Sequence, residues 1–219
     1  MCAGAHDRSE NHEILLGSKT IFWGSHVHFT YKKPKRQPRQ AGTNGLSSIT
    51  LGVGWDVAKP KGFLGKVFGG GSDSIDLDAS ALLLDAGKNE IDTIWFGQLQ
   101  SHDGSVRHSG DNLTGEGDGD DESIAVNLDR LPRQVEHVVL TVNSFRGQTF
   151  DKVENAYGRV VDNGGRELAR FPISDSGPHT GLILACLSRN GGDWSFKAIG
   201  HRTNGKTVKN LVGDAQRVI

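Results

Sequence analysis

Apolar residues recur at every second position in a series of short runs, and a turn signal stops each run before it grows long. In LSSITLGVGWDV (46–57), Ile49, Leu51, Val53 and Trp55 share one parity. A period of two puts them on one face of a strand. HVHFTY (26–31), SIDLDASALLLD (74–85), TIWFGQL (93–99), SIAVNLDRL (123–131) and EHVVLTVNSF (136–145) are further strand candidates. Residues 157–173 read as a hairpin turning at Asp162-Asn163-Gly164-Gly165, and residues 179–201 as another turning at Asn190-Gly191-Gly192. QTFDKVENAYG (148–158) reads as a short helix, and the tail NGKTVKNLVGDAQRVI as either a helix turn or a last strand. Long helices do not alternate with these strands, so a parallel sheet is excluded. The expectation is an all-β chain, an antiparallel β-sandwich of about ten strands with a short helix or two.

The 219 residues suit one large domain with a real core. Residues 24–219 read as that domain, and the polar, aperiodic residues 1–23 as a poorly ordered N-terminal extension. Trp55, Trp95 and Trp194 fall in strand patterns and are expected in the core. A net charge of -1 gives no basis for binding nucleic acid. The two cysteines, Cys2 in a polar tail and Cys186 in an apolar run, suggest no disulfide and a reducing compartment. No apolar stretch approaches the ~18 residues of a membrane span, and the first residues lack a signal-peptide pattern. A cytoplasmic protein is therefore expected.

The neutral total hides local segregation. KKPKRQPR (32–39) carries five bases and no acid, whereas residues 111–122 carry six acids and no base. Six carboxylates so close repel one another and resist ionisation unless positive charge lies among them. A divalent cation is a more compact source than long, solvated Lys or Arg side chains. Gly115, Gly117 and Gly119 suit a chain wrapping an ion, and the donors nearby are nearly all oxygen. Hard oxygen ligands select calcium or magnesium, and a flexible acidic loop favours calcium. The spacing and the β-like flanks do not match an EF-hand. Asp76 and Asp78 stand two apart in IDLD and so point to one strand face, where like charges repel unless they share an ion. The plain alternative is a solvated acidic loop; the glycine alternation and the DLD pair argue for the ion.

Several ordered strings carry a resemblance: LGVGWD (51–56), DLDASALLLD (76–85), GDNLTGEGDGDDESIAVNLDRLP (110–132), LTVNSFRGQTFDKVENAYGRVVD (140–162) and GGRELARFPI (164–173). Together they resemble the TerD-like tellurium-resistance proteins, a group of bacterial calcium-binding stress proteins. The resemblance implies a β-sandwich holding two neighbouring calcium ions that clamp the acidic loop to the sheet. The ligand candidates it carries over are Asp76, Asp78, Asp111, Asn112, Thr114, Glu116, Asp118, Asp120, Asp121 and Glu122. It also implies roles in tellurite and stress resistance and assembly with other Ter-family proteins, and it supplies no reaction. Residues 1–23 and the basic run 32–39 depart from the family pattern.

Other constellations carry less. His26 and His28 share a strand face without a third metal ligand. His102 and His108 read as solvated loop residues near Asp103. Gly205-Lys206-Thr207 lacks the upstream glycine of a phosphate loop, and no nucleophile stands out. The expected function is a non-enzymatic calcium-binding module of the stress response. The alternatives are a metal-dependent phosphoryl hydrolase and a calcium-dependent membrane adaptor. The basic run allows at most weak membrane-surface association.

Overall fold

The computed structural model of the chain describes residues 45–56, 75–113, 115 and 119–219. Outside the described residues lie the extension 1–23, the strand candidate 26–31 with His26 and His28, the basic run 32–39, Cys2, and the site candidates Thr114, Glu116 and Asp118.

Two five-stranded antiparallel sheets form the described body. The first runs in the order β4 (Val106–His108), β5 (Glu122–Asn127), β1 (Ser48–Gly54), β7 (Tyr157–Asp162) and β8 (Glu167–Pro172). The second runs β10 (Asp193–Thr203), β9 (Gly181–Asn190), β6 (His137–Ser144), β2 (Leu77–Leu84) and β3 (Glu90–Ile94). The expected antiparallel sandwich is thus present, and both hairpins pair as the turn residues require, β7 with β8 and β9 with β10.

A single core fills the space between the sheets. Ile49, Leu51 and Val53 of β1 meet Leu77, Ala79, Ala81 and Leu83 of β2 and Val138, Leu140 and Val142 of β6. The opposite parity of the second sheet is also covered. Leu82, Leu84, Val139, Ile183 and Cys186 pack beneath the C-terminal helix α1 (Val208–Val218), whose Val208 and Ala215 join the same cluster. All eight residues of β2 are therefore buried, whereas β5 keeps a clean alternation of buried and exposed positions. A strand covered on both faces reads as a continuous apolar run, and one covered on a single face alternates.

The tail resolves as that helix. Val208, Leu211, Ala215 and Val218 recur at helical spacing. Asn210 Oδ1 accepts hydrogen bonds from the Lys206 and Thr207 N–H groups, both at 3.1 Å, closing the first turn.

Three expectations change. Residues 148–158 form only one 3₁₀ turn, Phe150–Lys152, because Asn155 sits at φ 52, outside the right-handed helical region, and the chain enters β7 at Tyr157. The strand expected over 93–99 lies earlier, as β3, and Trp95–Gln98 closes a tight turn through reciprocal backbone hydrogen bonds of 3.2 and 2.8 Å. Trp95 consequently lies half-buried under the Lys209 ammonium, 5.1 Å from its ring centre, while Trp55 and Trp194 are buried in the core. The third concerns His108, which is not solvated but sits in β4 with its side chain fully buried.

Candidate metal centre

The site grows from a gap in strand pairing. β3 pairs with β2 only from Ala81 onward, opposite Ile94. Before that point the Ala79 N–H and C=O have no strand beside them, and two side chains take its place. Glu122 Oε2 accepts the Ala79 N–H at 2.9 Å, and His108 Nε2 lies 3.3 Å from the Ala79 carbonyl and 3.4 Å from Glu122 Oε2. His108 Nδ1 accepts from the Gly110 N–H at 3.0 Å, which assigns the ring proton to Nε2 as donor. Glu122 Oε1 accepts the Asn112 N–H at 3.1 Å. A buried acid and a buried histidine thus hem the free edge of β2, satisfying backbone groups that would otherwise be costly to bury.

Beside this hem three carboxylates converge. Asp76, Asp78 and Asp111 each offer an oxygen, and these atoms lie within 4.8 Å of one another. Asp76 and Asp78 are buried and Asp111 is exposed. Asp78 faces Asn143 across the β2–β6 ladder, and its Oδ2 accepts from Asn143 Nδ2 at 2.7 Å. The same amide nitrogen donates to the Lys206 carbonyl at 2.7 Å, joining the loop before α1 to the cluster. Asp76 Oδ2 lies 3.6 Å from Arg146 Nε. Asp76 Oδ1 is buried without a hydrogen-bond partner among the described residues.

The electrostatics register a shortage of positive charge. Burial, with Glu122 and Asp76 nearby, pushes Asp78 up to about 8, against the opposing pull of the Asn143 hydrogen bond. Burial and Asp111 also raise Asp76, although Arg146 opposes them. Burial and Glu122 raise Asp111. Three carboxyls whose charged forms are disfavoured, one with a buried oxygen that has no partner among the described residues, suit a cation that supplies the missing charge. The three converging groups are all carboxylates, a hard donor set that fits calcium or magnesium. When bound, such an ion supplies charge neutralisation and a cross-link. Asp76, Asp78 and Asp111 would hold it, while Asn143 orients Asp78 from behind, as outer hydrogen bonds orient metal ligands.

The other described acids of the run, Asp120, Asp121 and Glu122, have protein partners of their own. Arg159 grips Asp120 in a two-pronged pair, Nε to Oδ1 and Nη2 to Oδ2 both at 2.9 Å, and the Tyr157 hydroxyl donates to Oδ1 at 3.1 Å. Gly52 makes room for this carboxylate on β1, since a Cβ there would collide with it. Asp121 Oδ2 accepts the Trp55 N–H at 2.8 Å, and its Oδ1 accepts from Asn112 Nδ2 at 3.3 Å. Asn112 Oδ1 accepts the Gly115 N–H at 3.0 Å. Gly115, at φ +68, lies so close to the Trp55 indole that a Cβ would come within 2.5 Å of Nε1. Of the ten ligand candidates, Asp76, Asp78 and Asp111 converge in space, and Asp120, Asp121 and Glu122 are engaged by protein groups. Sequence reasoning missed Asn143, Arg146, His108 and Arg159. Only Asn143 left a trace, as a polar residue with the parity of Val139 on the face that β6 turns towards α1.

Residues 31–214 match the model of the TerD domain. The chain is 55% identical over 172 residues to the tellurium resistance protein TerZ of Serratia marcescens, covering 78% of this chain and 89% of that protein. It is 40% identical over 190 residues to the stress response protein SCP2 of Bacillus subtilis (strain 168), covering 83% and 96%. A crystal structure of a homologue of telluride resistance protein (TerD) from Streptomyces coelicolor A3(2) superposes with a TM-score of 0.66 at 23% identity, over 77% of this chain and 96% of that one, a likeness of fold. With the family model spanning most of the chain and these relatives matching along most of their own length, the protein belongs to the TerD-domain family of tellurium-resistance and stress-response proteins.

Proposed function

We propose that the protein is a calcium-binding module of the stress response and of tellurium resistance, which works by binding and assembly and not by turnover. The observation that carries the reading is the group Asp76, Asp78 and Asp111, with Asp76 Oδ1 buried and without a partner among the described residues. An ion there ties the start of the acidic segment to the sheet edge already hemmed by Glu122 and His108. Because the site is assembled only in the folded chain, binding energy appears as stability. The names of the matched relatives, tellurium resistance and stress response, supply the physiological setting. Other Ter-family proteins are the proposed partners, and the cytoplasm the proposed location. Among the described residues no helix is long and apolar enough to cross a membrane.

Calorimetry on EDTA-stripped protein tests the reading. Calcium is expected to bind at micromolar concentration or tighter and well ahead of magnesium, with stoichiometry distinguishing one ion from two. Asp78→Asn is expected to abolish the heat of one site. Absence of calcium uptake by wild-type protein refutes the proposal. Turnover of an aryl phosphate that disappears in Asp78→Asn replaces it with a hydrolase.

A further inference from the structure

Next to the carboxylate cluster an aromatic ridge emerges from the surface. The Trp95 and Phe96 rings lie 4.5 Å apart, and Phe96 meets Phe145 edge-on at 5.2 Å. Phe145 is 42% exposed, and the Trp95 and Phe96 beside it are half-buried. The ridge is bordered by cations. Arg146 follows Phe145 and is exposed, Lys209 lies over Trp95, and the Lys206 side chain passes over Gly147. Lys206 and Lys209 are both exposed. In the carboxylate cluster, Asp76 and Asp78 are buried and Asp111 is exposed.

We infer that the Trp95–Phe96–Phe145 ridge with Arg146, Lys206 and Lys209 is a docking surface for an anionic phospholipid bilayer, switched by the ion at Asp76. A bilayer interface offers both chemistries at the depth this surface needs, an apolar layer for the ring of Phe145 and phosphates above it for the cations. A second copy fits less well, because a two-fold contact over this patch brings six like charges into one interface. The switch follows from one contact. Arg146 Nε lies 3.6 Å from Asp76 Oδ2, so in the ion-free protein the carboxylate holds the guanidinium back. A cation on Asp76 competes for that oxygen, frees Arg146 to meet a lipid phosphate, and adds positive charge beside the surface. This switch rests on the calcium reading, whereas the surface itself does not.

The test is co-sedimentation of the full chain with phosphatidylcholine vesicles, with and without phosphatidylserine, in calcium or in EDTA, alongside calorimetry of calcium binding to the same samples. Binding is expected only with phosphatidylserine and calcium together. Phe145→Ala is expected to lower partitioning about tenfold, and Lys209→Gln about fivefold. Both should leave calcium affinity and the melting curve near those of wild type, and Phe145→Trp should retain binding. Measured calcium uptake without vesicle binding overturns the docking surface and leaves the ion site standing. Failed uptake with persistent, Phe145-dependent vesicle binding overturns the switch and supports the surface. Binding that ignores both Phe145→Ala and Lys209→Gln, or a dimer dissolved by Phe145→Ala in protein that never meets vesicles, overturns the inference in favour of another face or a protein occupant.

Discussion

The two ends of the acidic run solve the same problem in different ways. At one end Asp120 lies against Arg159, with two short hydrogen bonds and a tyrosine hydroxyl as third partner. At the other, Asp111 meets Asp76 and Asp78, and among the described residues the cationic side chain paired with them is Arg146, 3.6 Å from Asp76 and itself 41% exposed. Glu122, the last acid of the run, spends both oxygens on backbone N–H groups. Equal charge density in the sequence therefore conceals three environments: neutralised by protein, consumed by backbone, and short of a counter-charge. The difference shows that a run of acids is not one ligand set. What decides a carboxylate's role is the donor that the fold brings to it.

The largest expected effect separates the two ends directly. Calcium at a thousandfold above its Kd should stabilise the protein by about 4 kcal/mol, and EDTA should remove this, a melting shift of roughly 10 °C for a chain of this size. Asp78→Asn should remove the calcium-dependent part of the shift, and Asp120→Asn should leave it intact. A calcium shift that persists in Asp78→Asn, read by calorimetric melting, would break the distinction.

The pH dependence comes next in size and reverses sign with the ion. Asp78 rises from the usual carboxylate value to about 8 in the folded ion-free chain, so between about pH 4 and 8 the folded state holds a proton that the unfolded state has lost. The ion-free protein should therefore lose stability as pH rises through that window, by on the order of a few kcal/mol before the other carboxylates are counted. Burial shifts Asp76 and Asp111 in the same direction. With calcium bound the carboxylates must be ionised, so affinity should increase with pH and uptake near neutrality should release protons. Calorimetry in buffers of different ionisation enthalpy measures that release; none would contradict the raised Asp78.

Glu122→Gln probes the acid bound to backbone. Its amide can accept from only one of the two N–H groups and sets a donor against the other, so a loss of about 3 kcal/mol is expected with calcium and without it. Urea denaturation in both conditions reads this, and a loss seen only with calcium would make Glu122 a ligand. The smallest effect belongs to Asp120→Asn, about 1 kcal/mol, because the Arg159 side chain is 35% exposed and water recovers part of the pair. Added salt should shrink the Asp120 difference further.

Much of the architecture was legible. Ile49, Leu51 and Val53 alternate because β1 has one apolar face, and the glycine turns at 162–165 and 190–192 set two hairpins. Where two faces are covered, as in β2, alternation vanishes and the run alone does not announce the helix lying over it. The same limit hid Trp95, whose run continues past the strand into a turn.

The sequence by itself determined an antiparallel sandwich and the pairing of Asp76 with Asp78 on one strand face, because both follow from a local period of two. It also marked residues 111–122 as an acidic, glycine-spaced segment needing partners. Only the tertiary structure decided which partner each acid received. Asp111 joins residues more than thirty positions away, Asp120 reaches across β1 to Arg159 on β7, and Glu122 replaces a missing β3 beside Ala79. These pairings depend on which strand edges and loops meet in space, and on the burial that follows. Neither quantity is carried by nearest-neighbour spacing along the chain.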